Sequence, residues 1–276
     1  MYVVDEIGRL RRSGVPLVDI AVLYRTNYQS RAIEEAFLKG GLPYKLVGGF
    51  RFYDRKEIKD ILSYMRFIYN LKDDLSMSRI LNVPTRKIGP KSVAKLHSLS
   101  RECKCSVGEL IVGTFEISHS LERILEISPE VYTNIESKLD DMKQFNTLIE
   151  LFGSLYIQVH GLDVLSSIDL ILRKSKYLEW IDDGSEEAEY KKENIEELKN
   201  VASTYAIRYK EKSLDMFLQE INLIEQEQSK NQDGTGNYAN LMTLHSSKGL
   251  EFDYVFIVGM EEGVLPHSRS FTDENG

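Results

Sequence analysis

The first strong apolar signal is Val18 to Tyr24 (VDIAVLY), short and rich in β-branched residues, which predicts a buried strand. A polar stretch follows, with Asn27 positioned to cap a helix over residues 29–39. Gly40 and Gly41 end that helix. A second short strand is predicted over Pro43 to Val47, closed by Gly48 and Gly49. Strand, helix and strand in so short a span read as one βαβ unit of a parallel sheet.

From Asp54 to Gln228 the periodicity is helical. Ile58, Ile61, Leu62, Met65 and Ile68 recur at helix spacing over residues 56–69. Shorter helices are predicted near residues 75–81, 90–99 and 107–112, and one longer helix over 135–151. Helices over 163–175, 186–210 and 213–228 complete the set. Residues 228–237 form a polar, glycine-bearing linker. Beyond it the strand pattern returns at 239–244 and 254–258, with HSSKGLEF between. The fold class expected is α/β: a partial parallel-sheet domain interrupted by a large all-helical insertion. The expected division is 1–53, 54–235 and 236–276, the first and third pieces forming one domain.

Composition narrows the class. The chain has 276 residues, 42 % hydrophobic and 28 % charged, as in water-soluble globular proteins. No apolar run reaches bilayer length, and Asp5 and Glu6 interrupt any signal-peptide pattern. Its two cysteines, Cys103 and Cys105, cannot build a disulfide framework and suit a reducing cytosol, so a cytoplasmic location is expected. The net charge of −8 argues at first against nucleic acid, but it is uneven. Residues 1–100 carry 18 Lys+Arg against 10 Asp+Glu, leaving the rest of the chain strongly acidic. Screening confines each charge to about 10 Å, so the basic part can still meet phosphate.

Four stretches carry candidate chemistry. YRTNYQSR (24–31) leaves a strand and opens a helix, where open α/β sheets bind ligands. Its donors suit phosphate, although an ordinary capped helix reads equally well. GGFRFYDRKEIKD (48–60) interleaves aromatics with basic residues. Stacking on bases is one use; anchoring of Phe50, Phe52 and Tyr53 at the join between modules is the favoured one. PTRKIGPKS (84–92) is a basic, glycine-bearing turn between helices. It suits a duplex phosphate, or is simply a basic loop. LMTLHSSKGLEF (241–252) gathers Thr, His, Ser, Lys and Glu just past a strand. No G-x-S-x-G elbow accompanies His245, which argues against a hydrolase triad, and no Walker A loop is present.

Together these stretches, followed by DYVFIVGMEEGVLPHSRS, resemble the UvrD/PcrA/Rep family of superfamily-one DNA helicases, in the family's order from about Val3 to Ser270. The resemblance implies most of the second of two RecA-like motor domains, with its inserted helical subdomain, the 2B type. It implies single-stranded DNA contacts at Arg25, Thr26, Asn27, Thr243 and His245. It implies duplex contacts at Thr85, Arg86, Lys87, Gly89 and Lys91, and a ribose contact from the ATP side at Glu251. The family usually has glycine where Lys87 stands and often alanine where Ser247 stands.

The resemblance further implies an ATP-dependent helicase moving 3′ to 5′ on DNA, in repair or replication, with ATP and Mg²⁺ as cofactors. The Walker A lysine and Walker B acids of a first motor domain, and the arginine of the sixth motif, are not among these residues. The expectation is a fragment that hydrolyses no ATP, unwinds no DNA and binds no cofactor tightly alone. Its partners would be DNA, at a single/double-strand junction, the first motor domain and repair or replication proteins. The alternative is a non-catalytic module that binds DNA or a protein partner.

Overall fold

The computed structural model describes residues 2–209, 213–230 and 236–261. Part of the 228–237 linker, and the sequence match beyond residue 261, lie outside the described residues. In chain order the elements are α1 (Tyr2–Arg12), β1 (Ile20–Tyr24), α2 (Ser30–Lys39), β2 (Tyr44–Val47), α3 (Lys56–Tyr69) and α4 (Asp74–Ile80). There follow α5 (Pro90–Cys103), α6 (Val107–Ser118), α7 (Pro129–Glu136), α8 (Leu139–Met142) and α9 (Asn146–Val159). Last come α10 (Val164–Ser175), α11 (Tyr177–Ile181), α12 (Glu186–Arg208), α13 (Leu214–Lys230), β3 (Ala239–Thr243) and β4 (Tyr254–Ile257). The chain divides into two compact units. The first holds residues 1–58, 190–197 and 219–276; the second holds 59–189 and 198–218.

Unit 1 is an α/β layer. Its four strands are all parallel, in the order β2-β3-β1-β4. The expected βαβ pair is therefore split, because β3, from the far end of the chain, inserts between β2 and β1. Every residue of β1 is buried, as the centre of a sheet covered on both faces requires. Ile20, Val22 and Tyr24 join Phe37, Leu42 and Leu241 on one face; Ala21, Leu23 and Met242 pack on the other. Helix α1, absent from the sequence reading, sets Val4 and Ile7 against the first face. Val3, Val4, Ile7 and Leu10 recur there at helical spacing, so its amphipathic signal is present in the sequence.

Unit 2 is helical. Helix α6 is buried from Val107 to Glu116, the mark of a central helix. Its N-terminus carries a capping box: the Ser106 hydroxyl accepts from Glu109 N–H while the Glu109 carboxylate accepts from Ser106 N–H. Near its other end the Glu116 carboxylate accepts from the Ile124 and Leu125 amides and the Tyr132 hydroxyl. The single helix expected over 135–151 is broken into α7, α8, a 3₁₀ turn and α9. At the first break the Ser137 hydroxyl turns back onto the Asn134 carbonyl at 2.6 Å, a local bond that competes with the helix ladder. Among the described residues no helix is long and apolar enough to cross a membrane.

Candidate nucleic-acid interface

Because all four strands are parallel, their C-terminal ends share one edge of unit 1. β1 and β3 are adjacent there, with Tyr24 in register with Thr243. The residues just beyond each strand therefore meet. Arg25 Nη1 lies 3.0 Å from His245 Nδ1. Arginine can only donate, so that bond requires an unprotonated Nδ1 and puts the neutral imidazole's proton on Nε2. His245 is exposed and Arg25 is half-buried. Thr243 holds its own turn: its hydroxyl lies 2.9 Å from the Ser246 hydroxyl and accepts the Ser246 amide at 3.2 Å.

Two glycines let the neighbouring strand ends close in. Gly48, after β2, has φ +76°, and a Cβ there would sit 2.9 Å from Ser246 Oγ. Gly259, after β4, has φ +68°, and a Cβ there would overlap the Gln29 side-chain amide.

The turn after β1 differs from the sequence expectation in its cap. Asn27 begins a 3₁₀ turn rather than capping the helix; the cap is Thr26. The Gln29 side-chain oxygen accepts the amides of Arg25 and Thr26, each at 3.0 Å, and the Thr26 hydroxyl at 3.3 Å. Gln29 returns three residues to do what Glu or Gln does in a capping box. Thr26 is buried, its hydroxyl spent on this turn. Arg31, in the same stretch, is ion-paired with Glu35 at 2.8 Å and Glu197 at 2.5 Å.

Beneath the turn lies a buried polar layer that sequence reasoning missed. Glu34 accepts from Ser30 Oγ (2.7 Å), Tyr44 OH, Phe52 N–H and Gln228 Nε2. Burial pushes its carboxyl up to about 7, against the opposing pull of Ser30, Arg55, Phe52 and Tyr44. The cue in sequence was Glu34 on the apolar face of α2, one position from Ile33. Phe52 and Tyr53 are buried anchors in edge-to-face contact, while Phe50 is exposed.

In unit 2 the turn at 84–92 places its basic residues in two directions. Thr85, Lys87 and Lys91 are exposed. Arg86, for which the resemblance implied a phosphate contact, points inward. Its Nη1 donates to the carbonyls of Ile80 (2.7 Å) and Leu81 (3.1 Å). Its Nη2 donates to the Val83 carbonyl and to the Tyr64 hydroxyl. The guanidinium also packs over the rings of Tyr64 and Phe152. The last turn of α4 leaves carbonyls without helical partners, and Arg86 supplies the donors. Lys87 has φ +60°, a left-handed residue where the resembled family usually has glycine. Gly89 precedes α5, whose first residue is Pro90 and whose N-terminus has no side-chain cap. Its first N–H groups thus have no side-chain cap, and Lys91 is exposed beside them, a setting that favours an anion.

Glu251 is exposed on the β3–β4 connection, beyond Gly249 at φ +83°, and is not drawn into the Arg25–His245 cluster. Cys103 and Cys105 are unpaired thiols. Among the described residues no group of three or more His, Cys, Asp or Glu side chains could hold a metal.

The profile of the UvrD-like helicase C-terminal domain matches residues 1–275. This chain belongs to that family. Its relatives include proteins named ATP-dependent DNA helicase PcrA. One from Staphylococcus epidermidis is 37 % identical over 277 residues, and one from Staphylococcus aureus is 36 % identical over the same length. Each alignment takes in 99 % of this chain and 35 % of the relative, so the chain spans about a third of the curated relatives' length. Membership in the UvrD-like family accords with the α/β unit and the helical unit.

Proposed function

We propose that this chain is the second motor segment of an ATP-dependent DNA helicase that moves 3′ to 5′. The observation that carries the reading is the meeting of Arg25 and His245 at the ends of adjacent parallel strands, on the edge where α/β sheets take ligands. The contact engages one of the guanidinium's two terminal nitrogens, leaving further donors for a phosphate of single-stranded DNA. Asn27 and Thr243 flank the same edge and bind that strand; Thr26 shapes the turn and contributes through its backbone. Lys87, Lys91, Thr85 and the N-terminus of α5 at Gly89 meet duplex phosphates, by charge and shape rather than base sequence. Glu251 touches ribose on the ATP side.

ATP and Mg²⁺ belong to the intact helicase. Acting alone, the 276 residues turn over no ATP. The natural partners are DNA at a single/double-strand junction, the first motor domain and repair or replication proteins, in the cytoplasm.

Fluorescence anisotropy with a duplex bearing a 3′ single-stranded tail tests the reading. Binding should fall steeply with salt. Arg25→Ala should weaken the tail contact, and the double variant Lys87→Ala, Lys91→Ala the duplex contact. Salt-insensitive binding, or none at low salt, would overturn the proposal for this chain.

A further inference from the structure

The buried layer under the Asn27 turn contains an arginine to which the sequence reading gave no role. Arg55 is 8 % exposed. Its guanidinium makes three hydrogen bonds, all to neutral acceptors. Nη2 donates to the Asn27 carbonyl at 2.8 Å and to Ser30 Oγ at 2.6 Å. Nη1 donates to Asn194 Oδ1 at 2.7 Å. The guanidinium also packs over the Phe52 ring, 5.2 Å from its centre.

Asn194 is 4 % exposed and sits within α12, where asparagine is a poor helix former. Its placement is explained by two bonds: it accepts from Arg55, and its Nδ2 donates to Glu57 Oε1 at 2.6 Å. A chain of hydrogen bonds thus runs from the Asn27 carbonyl through Arg55 and Asn194 to Glu57. The Asn27 carbonyl also accepts the Ser30 amide, so Arg55 grips the group that closes the 3₁₀ turn. Lysine could not replace it, because a single ammonium cannot reproduce a planar fork spread over three acceptors.

We infer that Arg55 is a positioning residue for single-stranded DNA. It fixes the Asn27 turn in the conformation that presents Arg25 and Asn27 to phosphate, and Asn194 holds Arg55 in the rotamer that does so. This rests on the single-strand reading given above. It adds that the DNA-side loop is set by α12, a helix distant in sequence, and not by its own residues alone.

Amide hydrogen exchange by NMR, together with anisotropy on an oligo-dT strand, tests the inference in the 276-residue chain. In Arg55→Lys the Thr26, Gln29 and Ser30 amides should exchange about tenfold faster, those of β1 and β3 should be unchanged, and oligo-dT affinity should fall about fivefold. Asn194→Ala retains Arg55 and its two loop bonds; it should show about two- to threefold effects on both readouts, and serves if Arg55→Lys does not fold. Unchanged turn amides would overturn the inference. So would faster exchange throughout unit 1, which would make Arg55 merely structural. A loosened turn with undiminished oligo-dT binding would overturn it while leaving the single-strand reading intact. Failure of the unmutated chain to bind oligo-dT would instead remove the reading itself, and the positioning role with it.

Discussion

The two basic turns of this chain, Arg25–Asn27 in unit 1 and Thr85–Lys91 in unit 2, look alike in sequence and differ in how they use arginine. Arg25 leaves a central parallel strand whose backbone is satisfied by the sheet: the Tyr24 carbonyl accepts the Leu244 amide at 2.8 Å. No carbonyl there needs the guanidinium, so it stays at the edge with one contact, to His245. Arg86 follows the end of a short helix, where it is drawn in to donate to the carbonyls of Ile80, Leu81 and Val83. A basic residue in a motif thus has donors to spare for phosphate only where the local backbone does not claim it first. In unit 2 the outward charge falls to Lys87 and Lys91 instead.

The sharpest way to break this comparison is to remove Arg86. Arg86→Ala removes the guanidinium donors to the Ile80, Leu81 and Val83 carbonyls and its packing over Tyr64 and Phe152, although Val83 N–H still serves Ile80 and the Tyr64 hydroxyl still serves Val83; it should cost about 2–4 kcal/mol of stability. Duplex affinity, measured where the variant is still folded, should change less than twofold. A large loss of affinity with unchanged unfolding midpoint in urea would reverse the assignment.

The turns also rest on different foundations. Tyr64, the side-chain partner under Arg86, is pushed up to about 12 by burial and stays neutral at ordinary pH. Under the Asn27 turn lies Glu34, pushed by burial to about 7. Between about pH 4.5 and 7 the folded chain holds a proton that the unfolded chain has released. Stability is therefore full below that window and falls as pH rises through it, by about 3 kcal/mol at most. Urea midpoints at pH 5 and pH 8 should show the fall, and Glu34→Gln should flatten it. A midpoint that rises with pH would contradict the assigned direction.

Arg25→Ala should be the mirror image of Arg86→Ala. Oligo-dT affinity should fall about three- to tenfold, on the order of 1 kcal/mol. Stability should move by less than about 0.5 kcal/mol, as for a half-buried side chain outside any buried network. Equal losses in both readouts would place Arg25 with Arg86.

Much of the fold was legible because its signals were local. The apolar run at β1 and the 3.6-residue period of α3 each appear within a few residues, and the α/β class followed from them. Less legible was everything that depended on distant partners. The insertion of β3 between β1 and β2 needs residues 195 to 219 positions apart to pair, which no local pattern encodes. The inward turn of Arg86 depends on carbonyls at the end of α4. The Arg55–Asn194 bond joins residues 139 positions apart. The capping pair Thr26 and Gln29 is the exception, since its three-residue spacing is local and readable in the sequence.

The finest test concerns Lys87. A side chain in the left-handed region crowds its own backbone, and glycine removes that crowding at the cost of a more flexible unfolded chain. Lys87→Gly should therefore stabilise the chain by about 0.5–1 kcal/mol, read from urea midpoints. It also deletes an exposed charge, so duplex affinity at low salt should drop about two- to threefold and the salt slope should fall by about one. Lys87→Arg retains both the charge and the crowding and should leave both readouts near their starting values. The two effects of Lys87→Gly have opposite signs, so no general damage to the turn produces them together. If affinity is unchanged while stability rises, Lys87 carries strain without contacting DNA, and the outward role in unit 2 passes to Lys91 and the α5 amides.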